Sequence, residues 1–473
     1  MILLLDTLIR MKSKLLLAIA ALITASESYA SNDVDFSGMN SESLGTLTGD
    51  TRYTGTIGFD TSSFLYQSDS RGTNSTTVNA TFRGKKDSRI LHTQGDISLY
   101  TFITNKPDLG VNPQELYTQT QPGLLGNFQV TAGRKLFDWS KLDKTWRMMS
   151  LWSPRFTWDE LHPQLVGMTG LFVTYETPRL KIALFGSPIA IPEMGTPTSE
   201  KDHNIVSSNP FWKPLPSQLT VLGAQTTIKY SLLMPEMKDI LLRPNFALKA
   251  RYETETGFFA SLNSGVLPVN MVQMAAEPFL NTQGTSGELD VNIRPQFPMR
   301  NINTLELGYD SPYKDWNLWL SASYEQPFQF ENQANWLNPI ITPSSIISAG
   351  TSTQLTQNFR FDGSVIFIHE QPFNRSSTLP DVNVDLPSRF PLKQGIQVGG
   401  NWRFSDVTEG NLSWIQDLIQ QNHLASMDLE HYIPSSHLTV GMGMDLILAS
   451  STQGWVGHYD GDDRLRGWLK YAF

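Results

Sequence analysis

The stretch DRLRGWLKYAF, residues 463–473, separates into two faces when every second residue is taken. Phe473, Tyr471, Leu469, Gly467 and Leu465 fall on one parity, and Ala472, Lys470, Trp468, Arg466 and Arg464 on the other. A period of two is that of a β-strand, whose successive side chains point to opposite sides of the sheet. One side of this strand is apolar and aromatic while the other carries three cations. The two sides therefore meet different surroundings, and a strand standing last in the chain must find a partner elsewhere.

The same period recurs upstream. LTVGMGMDLIL (438–448) places Leu438, Val440, Met442, Met444, Leu446 and Leu448 on one face, with Thr439, Gly441, Gly443, Asp445 and Ile447 on the other. Its length suits the ~9–11 residues with which a tilted strand crosses a bilayer. Shorter runs at 53–59, 95–103, 127–134 and 395–404 alternate likewise. The segments 172–185 and 303–324 read as hairpins, turning at Glu176-Thr177-Pro178-Arg179 and near Asp310-Ser311-Pro312. In lipid every backbone amide must be paired within the protein, so such a sheet has to close on itself. Closure is expected between a strand near 52–60 and the one at 464–473. The expected fold is an all-β, closed antiparallel transmembrane β-barrel of roughly 16 strands, within a range of about 14–20, with short helices in its loops.

Composition agrees with that reading. The 473 residues include 25 Phe, 14 Tyr and 12 Trp but only 17% charged residues. Mean hydropathy is −0.24, which would pass for a water-soluble protein. An alternating strand averages to neutral while one of its faces is fully apolar, so the average does not register a barrel. A net charge of −9 argues against a nucleic-acid partner, which selects a basic face. With no cysteine, no disulfide framework holds the fold.

MKSKLLLAIAALITASESYA (11–30) combines two lysines, an apolar stretch from Leu15 to Ile23, and Ser28 and Ala30 at the −3 and −1 positions of a cleavage site. It reads as a secretory signal peptide cut after Ala30, and Met11 offers a suitable translation start. The expected organisation is a signal peptide at 1–30, a polar N-terminal segment at 31–50 and a barrel at 51–473. The polar segment is too short for the plug of a gated receptor.

The C-terminal strand resembles the insertion signature of Gram-negative outer-membrane β-barrel proteins. The likeness falls on Phe473, Tyr471, Leu469 and Leu465, while Gly467 departs from it because a bulkier apolar residue is commoner there. The resemblance implies an integral outer-membrane location and recognition of those four residues by the barrel-insertion machinery. A second stretch, GRKLFDWSKLDKTWRMMSLWSPRFTWDELHPQLVGMTG (133–170), resembles in general pattern the long polar loop of porin-like barrels. In that family the loop folds inward and narrows the pore.

Read residue by residue, the loop at 134–164 has a period of its own. Leu136, Trp139, Leu142, Trp146 and Met149 are spaced three or four apart, which predicts one face of a helix. Three settings suit such a face. It could fill the barrel mouth as structural packing. It could form a constriction in which Arg134, Lys135, Asp138, Asp143, Arg147, Arg155 and Asp159 set the charge of the pore. It could also lie as an interfacial helix against lipid or a neighbouring subunit. The spacing alone does not choose between them.

Other stretches say less. GNLSWIQDLIQQN (410–422), with Trp414, Ile415, Leu418 and Ile419 on one side, predicts a short helix, as does MPEMKDILLRP (234–244). His423, His431 and His437 are too loosely spaced for a metal site, and neither metal nor cofactor is expected. YDGDD (459–463) reads as a turn. G-x-S-x-G does not occur. The function expected is a porin-like channel for passive diffusion of small polar solutes. Its rival is a structural or lipid-organising homo-oligomer with a shut lumen, and a barrel hydrolase comes third. The expected partners are outer-membrane lipid, the insertion machinery and further copies of the same chain.

Overall fold

A computed structural model describes residues 51–65, 74–103, 109–207, 209, 215–221, 224–270, 272–281, 288–312, 316–328, 341–371, 390–450, 456–457 and 459–473. The expected signal peptide and the polar segment at 31–50 lie outside these residues.

Eighteen antiparallel strands form one sheet, and its two ends meet. The first strand, Thr51–Phe64, pairs with the last, Arg464–Ala472, in a register that sets Ile57 opposite Tyr471 and Phe59 opposite Leu469. Two further bonds of 2.9 Å, Gly55 N to Phe473 O and Phe473 N to Gly55 O, carry the pairing to Phe473. Gly55 leaves room there for the Phe473 ring, which a β-carbon would displace.

The strand count corrects the expected 16 upward. Two strands are poorly marked in sequence. Asn74–Asp87 presents only Val78, Ala80 and Phe82 as an apolar face. Leu109–Thr120 contains Pro113, and its pairing slips between Asp96 and Ile97, which breaks the alternation. A proline in a strand is tolerated at such a bulge, and sequence reading demotes the strand for it.

Tight turns such as 177–179, 357–358 and 406–407 gather at one rim, and the long connections 136–167, 188–244 and 269–298 at the other. The first strand starts and the last one ends at the tight-turn rim. Aromatic pairs mark that rim on the outside: Phe128 with Tyr175 (5.0 Å), Phe258 with Tyr309 (4.9 Å), Phe359 with Trp402 (4.8 Å) and Tyr471 with Phe473 (6.4 Å). Above them Leu262, Leu307, Leu320, Leu412, Met442 and Leu469 stand exposed on six of the strands. An apolar band with an aromatic girdle is the outer surface of a barrel that sits in lipid.

The segment 410–422 is not a helix. Thr408–Asp417 is a strand hydrogen-bonded on both sides, so Trp414 and Ile415 face opposite ways. Ladder bonds to two neighbours outweigh a helical spacing of four apolar residues, since propensity is a weak prior. A one-turn helix does form over Met237–Leu241. Beyond the long-loop rim, strands Gln218–Val221, Ala224–Leu232, Glu288–Gln296 and Gln273–Asn281 build a small separate sheet. The main core lies inside the barrel, where the loop after Lys135 enters.

Candidate functional site: a loop folded across the lumen

Strand Phe128–Lys135 hands the chain to the loop at 136–167. The expected single helix is broken up: residues 136–140 form no regular element, Lys141–Thr145 make one helical turn and Arg147–Met149 a 3-10 turn. Ser140 caps the first turn by accepting from Asp143 N at 3.0 Å. Asp143 cannot serve as a surface charge. Its carboxylate accepts from Leu151 N (2.7 Å), Trp152 N (2.9 Å), Ser153 N (3.0 Å) and Ser150 Oγ (3.0 Å), closing the loop on itself. Burial pushes the Asp143 carboxyl up, and those four donors oppose the rise.

The apolar side of the loop packs inward. Trp139, Trp146 and Trp152 are at most 1% exposed, and Trp139 stacks on Trp152 at 5.3 Å. Around them stand Phe172, Phe185, Phe259, Ile302, Trp319, Ile346, Ile366, Ile415, Leu424 and Ile447, one from each of ten strands. The inner wall is therefore not uniformly polar, as alternation alone would suggest, but carries an apolar belt at the height of the loop. A second cluster joins Trp158 to Phe102 at 4.5 Å and to Phe156 at 6.3 Å.

Irregular backbone inside a barrel needs polar partners from the wall. They are present. Lys249 Nζ donates to Trp139 O at 2.8 Å and to Asp138 O at 2.5 Å, and Asn263 Nδ2 donates to Trp139 O at 2.9 Å. Lys141 N donates to Glu306 Oε1 at 2.8 Å, and Trp152 Nε1 to Thr304 Oγ1 at 3.1 Å. Arg300 donates to Leu151 O while its ion pair with Glu325 spans 2.5 Å. The loop end is tied to the last strands. Asp159 pairs with Arg464 Nη2 at 2.7 Å, Arg464 Nε with Asp445 at 2.6 Å, and His162 Nε2 with Asp445 at 2.9 Å. Burial works against the charge on Asp159, but Arg464 and His162 beside it hold the carboxyl below its usual range.

Between the loop and the wall from Trp316–Pro327 round to His423–Ile433 a cavity of about 660 Å³ remains. Its loop side carries Lys144, Arg147, His162 and Gln164, and its wall side Asn317, Arg360, Asp362, Gln397 and Asn411. An apolar band outside, a closed sheet and a polar cavity beside an in-folded loop now stand together. The chain folds as a closed β-barrel of the membrane-spanning kind, with a loop folded into its lumen.

No protein-family model matches the chain, and no curated protein matches it. Solved structures that resemble it include Acinetobacter baumannii OccAB4, at 10% identity over 91% of this chain and 99% of that one, with a TM-score of 0.46. Pseudomonas aeruginosa OpdO gives 10% identity, 91% and 98% coverage and 0.49. A BenF-like porin from Pseudomonas fluorescens Pf-5 gives 10%, 90% and 98%, and 0.47. At this identity no residue role passes from them to this barrel.

The barrel separates the seven charged residues expected at a constriction. Arg147 lines the cavity. Lys135 lies against the wall, donating to Gln119 at 2.9 Å, and Asp138 pairs with Lys144 at 2.7 Å. Asp143 and Asp159 hold the loop, as does Arg155, which pairs with Glu193 at 2.8 Å and donates to Met148 O. Arg134 is 4% exposed and stands in register with Leu116 and Thr169, off the face that Tyr117 turns to the lumen. Of the five residues expected on a helical face, Trp139, Leu142, Trp146 and Met149 are buried inside the barrel and Leu136 is half-buried. That burial sets them against the inner wall rather than against lipid or a subunit. Leu465, Leu469, Tyr471 and Phe473 are exposed on the outer face, while Arg464, Arg466 and Lys470 turn inward to Asp445, Asp428 and Glu430. Sequence reading missed the wall residues Asn317, Gln397 and Asn411. Their signal was the inner parity of their strands, rich in amides, hydroxyls and glycine.

Proposed function

We propose that the protein is an outer-membrane channel through which small polar solutes diffuse passively, with the loop at 136–167 as its constriction. The observation that supports this most is the polar cavity of about 660 Å³ between that loop and the wall. Selection would come from size and from the field of lining charges, with no chemistry required. Stepwise current from the purified protein in a planar bilayer is the expected result. A silent bilayer at every voltage would sink the channel.

One observation favours a second reading, a shut barrel that organises lipid as a homo-oligomer. The apolar loop core meets ten strands of the wall and leaves the tryptophans no access to water. Stoichiometric lipid retained by an oligomer, together with an absence of current, would select it. In either reading Phe473 and its neighbours would address the chain to the insertion machinery. Phe473→Ala is then expected to lower the folded fraction recovered from outer membranes, and an unchanged yield would refute that role.

A further inference from the structure

We infer that the cavity beside the loop is a binding subsite for uncharged polyhydroxylated solutes, the chemical class of small sugars and polyols. The inference rests on the channel reading only in that solutes must reach the cavity.

Apart from the Arg360–Asp362 pair, the wall side is built from uncharged groups, most of which both give and accept hydrogen bonds. Asn317, Ser364, Gln397, Asn401, Asn411 and Ser426 line it from five strands. On each of those strands the inner parity carries these side chains, while the outer parity carries residues such as Leu318, Trp402 and Leu412. An amide presents a donor and an acceptor side by side, and a hydroxyl is both at once. Adjacent hydroxyls of a polyol offer the matching pair, whereas a carboxylate only accepts and an ammonium only donates. Asn401 Nδ2 donates to Asn411 Oδ1 at 2.7 Å, which orients both amides and leaves their other edges for a solute.

Most cations on the lining have a carboxylate partner, on the lining for Arg360 and behind it for the others. Lys141 faces Asp310 at 3.2 Å, Lys144 faces Asp138 at 2.7 Å, Arg360 faces Asp362 at 3.5 Å and His162 faces Asp445 at 2.9 Å. A path built to select anions would hold a row of unpaired cations, and here only Arg147 stands without an ion pair among the described lining residues. Trp146, Trp319, Ile415 and Leu424 are packed apolar side chains bordering the polar lining. The cavity volume of about 660 Å³ falls within the range of sites that enclose one small ligand, roughly 300–1,000 Å³.

The test is current through the purified full-length protein in a planar bilayer, with maltose or gluconate added. Maltose is expected to interrupt the current in a saturable manner, with gluconate weaker. Gln397→Ala combined with Asn401→Ala should raise the half-blocking maltose concentration about tenfold, the effect of two hydrogen bonds of ordinary strength. Current that ignores maltose, a block by gluconate alone, or an unmoved double variant would each overturn the subsite while leaving the channel standing. If no current flows, the channel reading falls by itself and calorimetric titration of maltose into detergent-solubilised protein decides the subsite. A saturable heat weakened by the double variant supports it, and no heat overturns it.

Discussion

Arg464 Nη2 lies 2.7 Å from Asp159 Oδ2, which joins the first residue of the closing strand to the end of the in-folded loop, 305 positions away. The same guanidinium reaches Asp445 through Nε at 2.6 Å, and Arg466 holds Asp445 and Asp428. The strand that closes the barrel thereby also secures the loop that crosses it.

Removing Arg464 leaves Asp159 without this partner and Asp445 with Arg466 and His162 alone, so the loss should fall below the ~3–5 kcal/mol of a fully orphaned buried charge. Arg464→Ala is expected to lower the unfolding temperature and to open the loop at 136–167 to protease. Heat-modifiability on a gel and limited proteolysis of the solubilised barrel read the two effects. A variant as stable and as resistant as the parent would show that the pairs do not hold the loop.

Arg147 and Arg155 should part company. Arg147 is exposed on the cavity, whereas Arg155 is buried between Glu193 and Met148 O. Arg147→Gln is expected to shift the reversal potential in a salt gradient toward cations at unchanged stability. Arg155→Ala is expected to destabilise the loop instead. An unmoved reversal potential in the first variant would place Arg147 off the ion path.

Asp143 closes the loop by accepting from three backbone amides and a hydroxyl. Each buried donor left without an acceptor costs about 1–3 kcal/mol, so Asp143→Ala should loosen the loop severely while the strands stay paired. Hydrogen exchange would then rise over 136–167 but not in the strands. Equal protection of the loop in variant and parent would contradict this account.

Acid should stabilise the loop through Glu160. Burial, then the neighbouring Glu193 charge, pushes its carboxyl up to about 7 from a usual value of 4.5, with Arg155 opposing. Between those two values the folded state binds more protons than the unfolded state, so stability falls as pH rises through that window. The unfolding temperature is expected to be lower at pH 8 than near pH 5, with Glu160→Gln reducing the difference. Parallel pH profiles for the two proteins would remove Glu160 from the explanation.

The alternation in 438–448 and 463–473 by itself determined the fold class, the outward and inward faces and the pairing of the last strand with the first. A period of two leaves one face apolar over a length that can cross a bilayer, and within lipid only a closed sheet pairs every backbone amide. The count was less legible, because the bulge beside Pro113 and the short apolar run of Asn74–Asp87 blur two strands. The place of the loop was decided only by tertiary structure. Trp139, Leu142, Trp146 and Met149 announce an apolar face, and lipid, a subunit or a barrel interior would each satisfy it. The groups that settle the matter are Lys249, Asn263, Arg300 and Glu306, more than a hundred residues along the chain. They meet the loop backbone inside the barrel because an unpaired amide or carbonyl there has no water to turn to, and local spacing carries no trace of partners that distant.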